Sequence, residues 1–212
     1  MNSTWNDLAT SERWRGIVSF IRHWVGPFDS DMGMPAEELQ ATLSANHLSL
    51  PASVREWYLL AANWKHGVLN VWIHPQELTA YDSVVWLLTD PDGVTHWGVR
   101  VVDLDKEDPP VVTMEKNNEV VSPRFSEFAA LMTVGDVIFD YAVEAPVELN
   151  RDAARADKMR PVSACFGDLY AENNLESATV VMFAYPNNGP VYGKARTPEG
   201  RRFLQGFAKK TG

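Results

Sequence analysis

Trp14, Ile17, Val18, Ile21, Trp24 and Val25 recur at the three- and four-residue spacing that puts side chains on one face of a helix. Thr10 and Ser11 stand ahead of them as capping residues, and Gly26 and Pro27 behind them stop the helix. A shorter helix is predicted from Pro35. Glu37 and Glu38 fall in its first turn, where the helix dipole favours acids, and Leu39 and Leu43 face inward. A third helix follows Leu50 and Pro51, with Val54, Trp57, Ala61 and Trp64 as an apolar stripe that ends before Gly67.

The period then shortens to that of strands. VLNVWI (residues 68–73) is a candidate strand, His74 and Pro75 begin a short helix through Leu78, and VVWLL (residues 84–88), apolar on both faces, fits a central strand. DPDG (residues 90–93) predicts a tight turn, because Pro91 presets its φ and Gly93 tolerates a positive one. In the strand that follows, Thr95, Trp97, Val99 and Val101 point to a core while His96, Gly98 and Arg100 point to water. Pro110 has no N–H for a ladder and suits the start of VVTM (residues 111–114) or a sheet edge. EVV (residues 119–121) adds a short strand after a turn at residues 116–118.

Phe125, Phe128, Ala129, Met132 and Ile138 mark a helix to about Tyr141, in which Gly135 costs about 1 kcal/mol relative to Ala. Pro146 closes this unit. Beyond a polar linker at residues 150–160, ATVVMFAY (residues 178–185) and VYGKA (residues 191–195) flank Asn187, Asn188, Gly189 and Pro190 as a hairpin. Thr197 and Pro198 open a last helix containing Phe203, Leu204 and Phe207. The organisation expected is a body of residues 1–150, N-terminal helix included, with a hairpin-plus-helix extension of residues 151–212 packed on it.

Charge sharpens this division. The chain of 212 residues carries a formal charge of -9, but residues 1–150 hold 9 Lys and Arg against 22 Asp and Glu, and residues 151–212 hold 10 against 6. An acidic body is a poor nucleic-acid binder, since neutralising phosphates takes clustered Lys and Arg. A basic protein is the better partner. Cys165 is the single cysteine, which rules out an intramolecular disulfide and fits a cytoplasmic home, with the thiol packed as a small hydrophobe. The N-terminus lacks a basic stretch followed by an apolar one, and no apolar run approaches the ~18 residues of a membrane span.

Candidate chemistry centres on one segment. Asp103, Asp105, Glu107 and Asp108 crowd a loop that ends in Pro109 and Pro110. Such a run can bind a metal, perform acid/base work, face a basic partner or keep a loop hydrated. It lacks the glycine and distal Glu of an EF-hand loop, and neighbours on one loop rarely face each other across the ~5 Å cleft of a retaining glycosidase. No phosphate-cradling glycine loop, HExxH or paired CxxC is present. His23, His47, His66, His74 and His96 include no pair at helical metal-binding spacing, so no metal or cofactor is expected. Seven of the tryptophans fall on predicted elements as core residues, and Trp5, outside the periodic pattern, is expected to be exposed.

The order of the pieces carries a resemblance. LPASVREWYLLAANW (residues 50–64), WIHPQELT (residues 72–79), HWGVRVVD (residues 96–103), DPPVV (residues 108–112) and FSEFAALMTVGDVI (residues 125–138) follow one another as in the SUKH superfamily. The chain resembles that group over residues 35–142, most sharply at Trp97 with Gly98 and at Asp108, Pro109, Pro110 and Val111. The resemblance implies an α+β fold with a mostly antiparallel central sheet flanked by helices, no catalysis and a protein-binding role. The group includes yeast cell-wall-assembly regulators and bacterial immunity proteins that neutralise a cognate polymorphic toxin, often a nuclease or deaminase. On that footing Asp103, Asp105, Glu107 and Asp108 are expected to steer and rim a basic partner, with an exposed aromatic as hot spot. A regulatory scaffold of the cell-wall-regulator type, and an enzyme or small-ligand site between sheet and extension, are the competing expectations.

Overall fold

The computed structural model describes residues 4–64, 70–114, 117–139, 146–150, 159–164, 168–172, 178–184 and 191–208. His66, Cys165 and the expected hairpin turn at residues 187–190 lie outside them. The fold is α+β, with antiparallel sheets flanked by helices. Four helices lead: α1 (Trp5–Ala9), α2 (Arg15–Trp24), α3 (Ala36–Ala45) and α4 (Ala52–Ala61). The last three are those that the apolar spacing predicts. The first is too short to show a period and is nucleated by a reciprocal cap, in which the side chains of Thr4 and Asp7 each accept from the other's backbone N–H. That turn brings Trp5 against Phe28 at 5.7 Å and lets its indole N–H donate to the Leu60 carbonyl at 3.2 Å. Trp5 is therefore half-buried, contrary to expectation.

The first sheet comprises β1 (Val71–Trp72), β2 (Ala80–Tyr81), β3 (Val84–Thr89), β4 (His96–Arg100), β5 (Val111–Thr113) and β6 (Glu119–Ser122). Its order is β1-β3-β4-β5-β6, with β2 on β3 and every pairing antiparallel. Asp82 and Ser83, both at positive φ, make the tight β2–β3 connection. The inner face packs on α4 and on α5 (Phe125–Phe139), where Trp72 meets Trp57 and Phe125, and Trp97 meets Phe128. The outer face departs from the expected wet surface. Val84, Trp86 and Val112 are buried there with Ile73 beside them, and Gly98 lies flat against β3. Val101 also departs: β4 ends at Arg100, a 3-10 turn (Val101–Asp103) follows, and Val101 is exposed.

The larger addition is a second antiparallel sheet. β7 (Val147–Leu149), β8 (Met159–Ala164), β9 (Asp168–Glu172), β10 (Val180–Ala184) and β11 (Val191–Ala195) line up in the order β7-β11-β10-β9-β8, and α6 (Pro198–Gln205) covers one face. The β10–β11 hairpin and α6 are the predicted pieces. The other three strands escape pattern reading because β8 carries Pro161 beside a register shift and β9 begins and ends in an acid. The second sheet starts at Val147, inside the segment assigned to the body, and β8 starts inside the expected linker. Its other face joins the main core: Ala171, Ala178 and Val181 cluster with the body, and the Trp24 indole donates to the Ala178 carbonyl at 2.9 Å. α5 thus lies between two sheets, which is why it is apolar around its circumference. No described helix is long and apolar enough to cross a membrane.

Candidate functional site

Two helix starts build the acidic loop. A helix leaves its first N–H groups without internal partners, and this loop supplies acceptors to two helices at once. The Glu107 carbonyl accepts from Ser53 N at 3.0 Å at the start of α4. The Asp108 carboxylate accepts from Ser126 N at 3.0 Å and from Ser126 Oγ at 2.6 Å at the start of α5. Pro109 is buried, and the half-buried Pro110 leads directly into β5. The Asp-Pro-Pro stretch is therefore a splice between two helix N-termini and a strand.

The remaining acids divide. Asp103 is buried and pairs with Lys106, Oδ1 to Nζ at 2.7 Å. Arg13 spans two carboxylates, donating to Glu56 through one nitrogen and to Glu107 through the other, and Glu56 also accepts from the Trp14 indole at 2.9 Å. Glu107 nonetheless keeps 76% of its side chain exposed, and Asp105 is exposed. The four expected partner-facing acids thus separate into two that turn into the fold, Asp103 and Asp108, and two that face solvent, Asp105 and Glu107. Sequence reading missed what stands beside the outward pair: Val101 and Val102 are 43% and 78% exposed. The alternation of β4, run on by one more residue, places Val101 inside, and the exposed apolar side chains next to these acids in the chain are valines, where an aromatic was expected.

Trp97 and Gly98 lie in β4, just ahead of this segment in the chain, one on each face of the sheet. Trp97 is buried, and its indole N–H has no hydrogen-bond partner among the described residues, so packing alone holds the ring. Asp108→Ala removes a tertiary cap and leaves the Ser126 N–H unsatisfied. It is expected to cost about 1–2 kcal/mol, read as a lower urea midpoint, with Asp108→Asn losing less because it keeps one acceptor oxygen.

Other candidate chemistry is occupied structurally. The His74 side chain accepts from Gln76 N at the start of a 3-10 turn (Pro75–Glu77), and the His96 ring lies edge-on to Trp86 at 6.1 Å. Desolvation, and then the charge of Arg196, hold the His23 imidazole below its ordinary pKa. Arg100 donates to the Asn118 carbonyl at 2.6 Å. Among the described residues no three His, Cys, Asp or Glu side chains gather as metal ligands. A cavity of about 570 Å³ lies between α1, α3 and α4, with Leu8, Leu39 and Leu59 on its walls and Glu37, Arg55 and Glu56 among its polar groups. No family model matches the chain, and neither a curated protein nor a solved structure matches it.

Proposed function

We propose that the protein is a non-catalytic binding module for a basic protein and that it serves as an immunity protein, neutralising a cognate toxin in the cytoplasm. The toxin class that fits is a nuclease or deaminase, because an enzyme that holds nucleic acid has a basic cleft. The observation that carries this reading is the loop tip, where exposed Val101 and Val102 adjoin Asp105 and Glu107 on a backbone braced by two helix starts. An apolar centre with a charged rim is the usual composition of an interface. Bracing lowers the entropy lost when the loop is ordered by a partner. The charge of -9 steers a cationic protein towards this surface. The resemblance to the SUKH superfamily supports the same role.

The test begins by identifying the protein that co-purifies with the tagged chain from its own host, and by asking whether co-expression rescues cells from it. Association is then followed by stopped flow at low and moderate salt. Asp105→Asn with Glu107→Gln is expected to slow association about tenfold at low salt and to flatten its salt dependence, and Val102→Ala to speed dissociation. An unchanged rate and salt slope would mean that the loop is merely hydrated. A co-purifying partner with no toxic activity would favour the scaffold role instead.

A further inference from the structure

Lys194 belongs to β11 of the second sheet, yet only 4% of it is exposed. A lysine is almost never buried so deeply without a partner. Its ammonium donates to the main-chain carbonyl of Val137 at 2.9 Å, two residues before the described end of α5. One position earlier, Asp136 is fully buried and its Oδ1 accepts from Asn70 Nδ2 at 3.3 Å, with Asn70 itself buried just ahead of β1. Thr133, about one turn back, is fully buried as well. Within about one turn of α5, Lys194 from the second sheet thus reaches the Val137 carbonyl and Asn70 from the approach to the first reaches Asp136.

The surrounding contact is apolar, with Phe139 edge-on to Tyr192 at 5.0 Å and Ala171 and Val181 in the shared core. Apolar packing is non-directional. Sliding a sheet along such a helix by one turn, about 5.4 Å, exchanges one set of apolar neighbours for another. A buried ammonium that must meet a particular carbonyl allows one position only, the registry role that buried polar groups fill best. We infer that Lys194 is the docking key of the second sheet: it fixes the register of that sheet on α5 and couples it to the first sheet, making the second sheet and α6 an integral part of the fold.

Lys194→Met, made in the full chain, keeps the length of the side chain and removes the charge. Its expected effects are a melting temperature lower by roughly 5–10 °C and a loss of amide-exchange protection confined to β7, β9, β10, β11 and α6, while β3, β4 and α4 keep theirs. An unchanged melting temperature with full protection in the second sheet would overturn the inference, as would an equal loss of protection in both sheets. Should the variant fail to fold, native-state exchange of the wild-type chain decides. Coupled sheets give β10 and β4 amides one common opening transition on adding denaturant, whereas a separate, earlier opening of β10 would refute the coupling.

Discussion

Gly98→Ala is expected to destabilise the chain by at least about 3 kcal/mol, beyond the usual range for an overpacked site, and to lower its melting temperature by about 6–12 °C. A Cβ at this position would lie 2.2 Å from the Val85 carbonyl oxygen and 2.8 Å from Val84 Cγ1. The nearer atom is backbone, so no rotamer change relieves the overlap and β3 must move away from β4. That movement breaks the pairing of Gly98 with Trp86 and opens the small outer cluster of Val84, Trp86 and Val112. Gly135→Ala is the matched control, since a Cβ there meets nothing within 4 Å and helix propensity favours Ala by about 1 kcal/mol. Urea unfolding of the two variants should shift their midpoints in opposite directions. A Gly98→Ala midpoint within error of wild type would show that the strands separate freely there.

Gly33→Ala should be at least as damaging, with a loss of about 3 kcal/mol or more. Its Cβ would fall 1.8 Å from the Leu59 carbonyl oxygen and 3.2 Å from Trp5 Cδ1. The segment around Gly33 is laid directly on α4: Met34 N donates to the Tyr58 carbonyl at 3.0 Å, Asn63 N to the Met32 carbonyl at 2.8 Å, and Asn63 Nδ2 to the Gly33 carbonyl at 2.8 Å. A methyl group must push the segment off α4 and break that set of bonds, and it also crowds Trp5, which closes this end of the core with Phe28 and Arg22. The expected signature is a lower melting temperature with a changed near-ultraviolet tryptophan signal, while the Val101 to Glu107 surface is preserved. Retained stability with an unchanged tryptophan spectrum would contradict this account of the contact.

Helices α2, α3 and α4 were legible because each buries one face, and a one-sided helix writes its period into the sequence. β3 was legible as a short apolar run and β4 by its alternation, together with the residue 90–93 turn between them, where Gly93 has a φ of +67° and its N–H reaches the Asp90 carbonyl at 3.0 Å. α6 announced itself by Thr197, whose side chain accepts from Gly200 N. Strands β7, β8 and β9 left no such trace: β7 pairs with β11, far along the chain, β8 carries Pro161 beside a register shift, and β9 begins and ends in an acid. α5 was found as a helix, but its all-round apolarity did not say that a second sheet would cover it.

The candidate site divides in the same way. The sequence by itself determined that acids, a pair of prolines and an apolar strand meet between residues 103 and 112, and that the chain has a net negative charge to present. Only the tertiary structure decided which acids face outward. Asp108 serves a helix start 18 residues away, the Glu107 carboxylate meets Arg13 at a separation of 94, and Asp103 turns in to Lys106. The physical reason is that a carboxylate has the same formal charge wherever it stands, whereas its availability depends on which donors the fold brings within hydrogen-bonding distance. Val101 obeys the same rule: it reads as core until the strand ends one residue too soon to bury it.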